Sequence, residues 1–369
     1  MTTTTSWGVV VAASLLLPQS FVAQTQVGQT VPAPAATPAP PPATFETVWT
    51  QKIDTPGQPR LVAAATFVLL ADDAGVSARS IEDGREVWRA ALPARLTPVV
   101  VGPLVVVASG GKLHALDLPT GQPRWTIDLA AEPDALAWHS ARLVAVAGTD
   151  MRAWQADGQP AWQRDLGARL LAPTASEAET IFAALAGPRL VALDAATGAE
   201  RWAVTLMSSP ASILATRGRV YFVGTDSVYA FSQEKPLEPE WVFQLNPAAG
   251  DLAADERYLY VALLENTAQA LDLRIGNRRW RKPLPSRPGS GPFLAGDELV
   301  VPMTSGELVA LRRSDGAMAP RPPAGSGPPV SRQSLKAVAQ SAEGTLIFTV
   351  VWSEDGSRTL AAFKRGARQ

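Results

Sequence analysis

An all-β fold, a closed ring of small antiparallel sheets, is predicted by three observations. Trp49, Trp88, Trp125, Trp162, Trp202, Trp241 and Trp280 follow one another at intervals of 39, 37, 37, 40, 39 and 39 residues. Three of them close near-identical stretches, Leu113–Trp125, Leu190–Trp202 and Gln269–Trp280, which share Ala-x-Asp-x-x-Thr-Gly-x-x-x-Trp, with Ile275 replacing Thr in the last. Between them run short apolar or alternating segments of strand length, such as Leu104–Ala108. A period near 40 made of short strands is the mark of a β-propeller, one four-stranded sheet per blade.

The repeated stretch reads as strand, tight turn, strand. Alternating apolar residues before Asp117 suit a pleated strand, and Thr120-Gly121 supplies a turn whose glycine adopts positive φ. Asp117 is short enough to bond the amides of that turn, and the same roles fall to Asp194, Thr197 and Gly198, and to Asp272 and Gly276. The tryptophan on the following strand offers a large apolar face and one N–H.

Weaker copies end at Trp88, Trp162 and Trp241, and a degenerate one, Ala310 to Gly316, has Pro320 in the tryptophan slot. Val48-Trp49-Thr50 resembles a closing strand alone, and the C-terminal segment offers three strands near 335–340, 345–352 and 358–364. Pairing these two ends closes the ring and removes two exposed sheet edges. The count is then eight blades, or seven if the copy around Gly316 forms none.

The motif resembles the tryptophan-docking repeat of pyrroloquinoline-quinone (PQQ)-like propellers, over about residues 46–366. That family holds quinoprotein alcohol dehydrogenases and non-catalytic BamB-like outer-membrane assembly lipoproteins. The resemblance implies that each tryptophan packs between adjacent blades and bonds main chain through its indole N–H. For the non-catalytic branch it implies a protein partner in the cell envelope, held by inter-strand loops. For the dehydrogenases it implies PQQ with a calcium or lanthanide ion held by Glu, Asn and Asp, and an Asp base.

Composition narrows the field. With 33 basic and 34 acidic residues there is no global field to favour nucleic acid, and no basic block carries interleaved aromatics. The chain has no cysteine, which excludes disulfides, thiolate metal sites and a Cys nucleophile within it.

In chain order, residues 1–23 read as a signal peptide around the apolar run 7–17, although no Lys or Arg precedes Lys52. No stretch is long enough for a transmembrane span. Residues 24–45 form a Pro/Ala-rich linker, whose part 31–44, if extended, reaches roughly 40–45 Å at about 3.1 Å per residue. Residues 46–366 form the propeller. The proline-rich segment 317–333 is the longest insertion and reads as a loop outside the sheets.

No catalytic, cofactor-binding or metal-ligating constellation emerges. His114 occupies a strand slot that other copies fill with Val191, Tyr229 or Val309, which marks it as structural. His139 falls in a turn-like stretch, 137–140, with no partner assignable. Two acidic clusters, Asp72-Asp73 and Asp251 with Asp255-Glu256, read as solvated loops with too few ligands for calcium. The expectation is a monomeric, periplasmic or secreted, non-enzymatic scaffold without cofactor. The alternatives are a PQQ- and calcium-dependent alcohol or sugar dehydrogenase, and an extracellular sensor or ligand-binding module.

Overall fold

The computed structural model describes residues 45–365 except 56, 58, 235, 237, 246–251, 305–306, 319–331, 342–343 and 353–355. The signal segment 1–23, linker residues 24–44 and nearly all of the 317–333 insertion lie outside the described residues. Phe45, expected to end the linker, already opens β1, and Arg332 and Gln333, expected in the insertion, lie in β29.

Thirty-one strands are described, and no helix is among them. β1 is Phe45–Ile53. The first blade is β2–β5 (Arg60–Ala64, Phe67–Ala71, Val76–Ser80, Glu86–Ala90) and the second β6–β9 (Val99–Val101, Leu104–Ser109, Lys112–Asp117, Pro123–Asp128). The third is β10–β13 (Ala135–His139, Arg142–Ala147, Asp150–Trp154, Pro160–Asp165) and the fourth β14–β17 (Ala175–Glu177, Thr180–Leu185, Arg189–Asp194, Glu200–Thr205). The fifth is β18–β21 (Ser212–Thr216, Arg219–Val223, Ser227–Ser232, Trp241–Gln244) and the sixth β22–β25 (Ala253–Ala254, Tyr258–Leu263, Thr267–Asp272, Arg278–Pro283). The seventh is β26–β28 (Phe293–Ala295, Glu298–Pro302, Leu308–Arg312). The eighth is composite: β29, β30 and β31 (Arg332–Ser341, Gly344–Trp352, Arg358–Arg365) with β1 added antiparallel to β31, so that Trp49 stands opposite Ala362.

The copy around Gly316 therefore forms a blade, and the count is eight. Its sheet has three described strands, extended only by a bridge from Leu311 to Met318. Pro320 lies outside the described residues.

Each blade is apolar on both faces because each is sandwiched between neighbours, which is why β15 is buried from Thr180 to Leu185. Every one of the eight seams has its own cluster of buried apolar residues. The closing seams matter most. Leu61, Val68 and Leu70 pack on Leu346, Phe348 and Val350, joining the first blade to the eighth. Phe293, Ala295 and Val300 pack on Ile347, joining the seventh to the eighth. Innermost strands also touch across seams, β2 against β29 between the first and eighth blades and β22 against β26 between the sixth and seventh.

Two faces follow from this topology. On one, the first six blades show the turn between their third and fourth strands, which is the Asp-x-x-Thr-Gly turn at 117–121 and 194–198. On the other lie the second-to-third-strand hairpins and the linkers to the next blade.

Candidate binding surface

Each ladder tryptophan stands opposite an alanine on the neighbouring strand: Trp88 with Ala78, Trp125 with Ala115, Trp202 with Ala192, Trp280 with Ala270, and Trp49 with Ala362 at the ring closure. The small partner leaves the indole free to lean on the next blade. Six of the seven donate their N–H to a carbonyl there, just beyond the third strand. Trp88 reaches Leu118 O at 2.7 Å, Trp162 Ala195 O at 2.9 Å and Trp202 Gln233 O at 2.7 Å. Trp49, Trp241 and Trp280 reach Ile81, Leu273 and Arg313 O.

Trp125 departs from this expectation, for its indole nitrogen is buried with no partner among the described residues. The cause is a shorter hairpin on the receiving blade. Sister turns bond Asp117 N to Gln122 O and Gly121 N to Asp117 O; here Gln155 N bonds Gln159 O and Gly158 N bonds Gln155 O. One residue fewer moves the acceptor carbonyl away, while Gly158 still receives the ring.

The turn residues take the expected places. Asp117 Oδ1 accepts from the Thr120 hydroxyl at 2.7 Å, and Asp194 Oδ1 from Thr197 at 2.8 Å. Their other oxygens accept from Arg124 and Arg201 at 2.6 and 2.7 Å. The Arg201 guanidinium, followed by the Thr197 hydroxyl, holds Asp194 down to about 2, and Arg124 lowers Asp117 likewise. Asp272 Oδ1 instead accepts only the amides of Arg274 and Ile275. The arginines were missed from sequence, though an Arg before the Trp recurs as Arg124, Arg201 and Arg279.

His139 is not in a turn: it ends β10, half-buried against the fourth blade. Its Nε2 bonds Thr174 Oγ1 and its Nδ1 bonds Ser176 Oγ, both at 2.8 Å. Burial pushes it down to about 4, so it is neutral at pH 7. No carboxylate bonds it among the described residues, and two hydroxyls make this a seam contact. His114 is half-buried, with Thr126 Oγ1 at 3.5 Å.

The acidic clusters also need correction. Asp72 is buried and caps its turn through the amides of Ala74 and Gly75. Asp255 accepts from the Tyr260 hydroxyl at 2.6 Å and faces Arg313 at 3.4 Å. Asp251 lies outside the described residues. No group of three or more His, Asp or Glu able to hold a metal occurs among the described residues.

The linker face is different in kind. Leu171 N bonds Ala184 O, Ala186 N bonds Arg169 O and Leu206 N bonds Pro188 O. Two linkers thus flank one hairpin, that between β15 and β16. On them Leu171 is 40% exposed and Met207 85% exposed, beside exposed Arg169. A thioether and an isobutyl group held out by rigid backbone form an adaptable apolar contact.

Fold, closure and repeat together define a tryptophan-docked, PQQ-like-repeat propeller with apolar groups on its linker face. The family model described as outer membrane protein assembly factor BamB matches residues 42–153, 147–253 and 238–342, and the chain belongs to that family. It is 24% identical over 305 residues to the outer membrane protein assembly factor BamB of Bordetella pertussis, covering 74% of this chain and 78% of that one. The crystal structure of BamB from Moraxella catarrhalis superposes with a TM-score of 0.67 at 19% identity, over 89% of this chain and all of that one. A quinohemoprotein alcohol dehydrogenase from Pseudomonas putida shares the fold at TM-score 0.67 and 12% identity, over 87% of this chain and 76% of its own.

Proposed function

We propose that the protein is a non-enzymatic scaffold of the bacterial periplasm that holds a protein partner on its linker face during assembly of outer-membrane proteins. The supporting observation is the pair of exposed apolar side chains, Leu171 and Met207, on either side of the β15–β16 hairpin. Rigid sheets fix the ends of such linkers, so little ordering entropy is lost on binding. Family membership supplies the process. The absence of a cofactor is part of the proposal, consistent with ladder aspartates engaged by their own turns.

The test is complementation. Cells lacking the gene are expected to show less folded outer-membrane β-barrel protein by gel heat-modifiability, and Leu171→Asp with Met207→Asp is expected to fail to restore it. A double variant that folds and restores it fully refutes the surface. Titration with PQQ and calcium is expected to give no tight complex and no dye-linked dehydrogenase activity.

A further inference from the structure

The sixth-blade turn breaks the pattern of its two sisters, and every change points outward. Where Thr120 and Thr197 bond their aspartates, Ile275 cannot, and it stands 50% exposed. Where Arg124 and Arg201 clasp those aspartates, Arg279 forms no ion pair among the described residues, and neither do Arg274 or Arg278. The turn has given up a hydroxyl bond and a charge-assisted bond that its sisters keep. β25 carries Arg278, Arg279, Arg281 and Lys282 with no acidic residue, and among the described residues only Arg281 is matched, by Glu265 at 2.5 Å. On the seventh blade, Met318 bridges Leu311 as Arg278 pairs with Leu271, and it is 39% exposed.

We propose that this rim of the sixth and seventh blades docks on an anionic phospholipid surface. Arg274, Arg278 and Arg279 bind headgroup phosphates, and Ile275 and Met318 enter the interface between headgroups and acyl chains. Guanidiniums suit phosphate oxygens through paired N–H donors, and an apolar tip ringed by cations is the chemistry of interfacial anchoring. A bilayer fits better than an acidic peptide on two grounds. Ile275 and Arg274 cap a convex hairpin tip beyond the end of the strand, where a peptide has no walls to lie between. Four cations along β25 also make it a poor edge for strand addition. This rim lies on the turn face, opposite the linkers bearing Leu171 and Met207, so both contacts can be made at once.

The test uses the purified chain and flotation with vesicles of phosphatidylcholine alone or mixed with phosphatidylglycerol. No partner protein is present, so its failure is separate from failure of the scaffold reading. Binding is expected only to the anionic vesicles and is expected to be lost at about 1 M salt, where the screening length is about 3 Å. Arg274→Gln with Arg278→Gln and Arg279→Gln is expected to lower partitioning roughly 100-fold, about fivefold per cation. Ile275→Thr, which restores the sister residue, is expected to weaken binding while raising Tm. Arg85→Gln, in the first-blade turn, is expected to leave binding unchanged. The proposal is overturned by absence of binding to anionic vesicles or equal binding to neutral ones. It is equally overturned by an undiminished triple variant, or by a chain that captures poly-glutamate and ignores vesicles.

Discussion

Trp162 and Gly198 touch across the seam between the third and fourth blades so closely that a β-carbon on Gly198 would stand 2.5 Å from Cε3 of the ring. The same glycine has φ of +71°, so two demands meet at one position. Gly198→Ala is expected to cost roughly 2–4 kcal/mol, combining left-handed backbone strain with overpacking. Gly187→Ala shares positive φ, at +80°, but meets nothing within 4 Å, and is expected to cost only about 1 kcal/mol. Urea midpoints of the two variants separate ring contact from backbone strain; equal losses would remove the ring from the explanation.

The tryptophans are expected to differ by their N–H groups. Trp202→Ala, which removes both packing and bond, is expected to cost about 3–5 kcal/mol. Trp88→Phe keeps most of the apolar area and leaves Leu118 O without its donor, whereas Trp125→Phe breaks no bond. Trp88→Phe is therefore expected to cost about 1–2 kcal/mol more than Trp125→Phe in chemical denaturation.

How far this molecule is readable before folding follows from which contacts recur. The indole ladder and the Asp-Thr-Gly turns repeat at one period, so a single chain states them many times over, and the closing pair of chain ends is legible because each end holds the part of a repeat that the other lacks. The missing acceptor of Trp125 was also legible, since Ala153 to Trp162 is one residue shorter than Ala115 to Trp125. Contacts between unlike positions were not. His139 meets Ser176 a distance of 37 residues away, one repeat on, but neither residue type recurs there in other blades. Exposure of Leu171 and Met207 depends on how two linkers fold back on one hairpin, which no local pattern records. The arginines beside Asp117 and Asp194 fall between these cases: visible as Arg-Trp pairs, yet without direction until the strands are in register.

His139 gives the seam a pH response. Its folded value of about 4 lies below the ordinary 6.5, so between these limits the unfolded chain binds a proton that the folded chain refuses. Stability is therefore expected to fall as pH drops from about 6.5 to about 4, by up to roughly 3 kcal/mol at the lower limit. His139→Gln keeps hydrogen-bonding capacity without the titration and is expected to flatten that part of the Tm–pH curve. An unchanged slope would place the proton uptake elsewhere.

The ring is joined where its ends meet, and that joint is expected to control the stability of the whole. β1 is held to β31 by an antiparallel ladder and by a few apolar contacts, Ile53 and Trp49 packing with Leu360 and Ala362, and Lys52 stands opposite Thr359 across a separation of 307 residues. The neighbouring seam has a small buried cluster, Phe293, Ala295, Val300 and Ile347, and no described tryptophan docks across it. A physical reason is at hand: a docking indole needs a turn between third and fourth strands, and in the eighth blade those strands are the two ends of the chain. Lys52→Cys with Thr359→Cys places two thiols at facing positions of an antiparallel pair, within disulfide reach, in a chain with no other cysteine. Closing so long a loop is expected to stabilise the oxidised protein by roughly 3–6 kcal/mol relative to its reduced form. If unfolding begins instead by separation of interior blades, the bond still constrains the unfolded chain but leaves the unfolding rate unchanged. Unfolding kinetics with and without reductant therefore read out directly whether the joint between β1 and β31 is where the ring first opens.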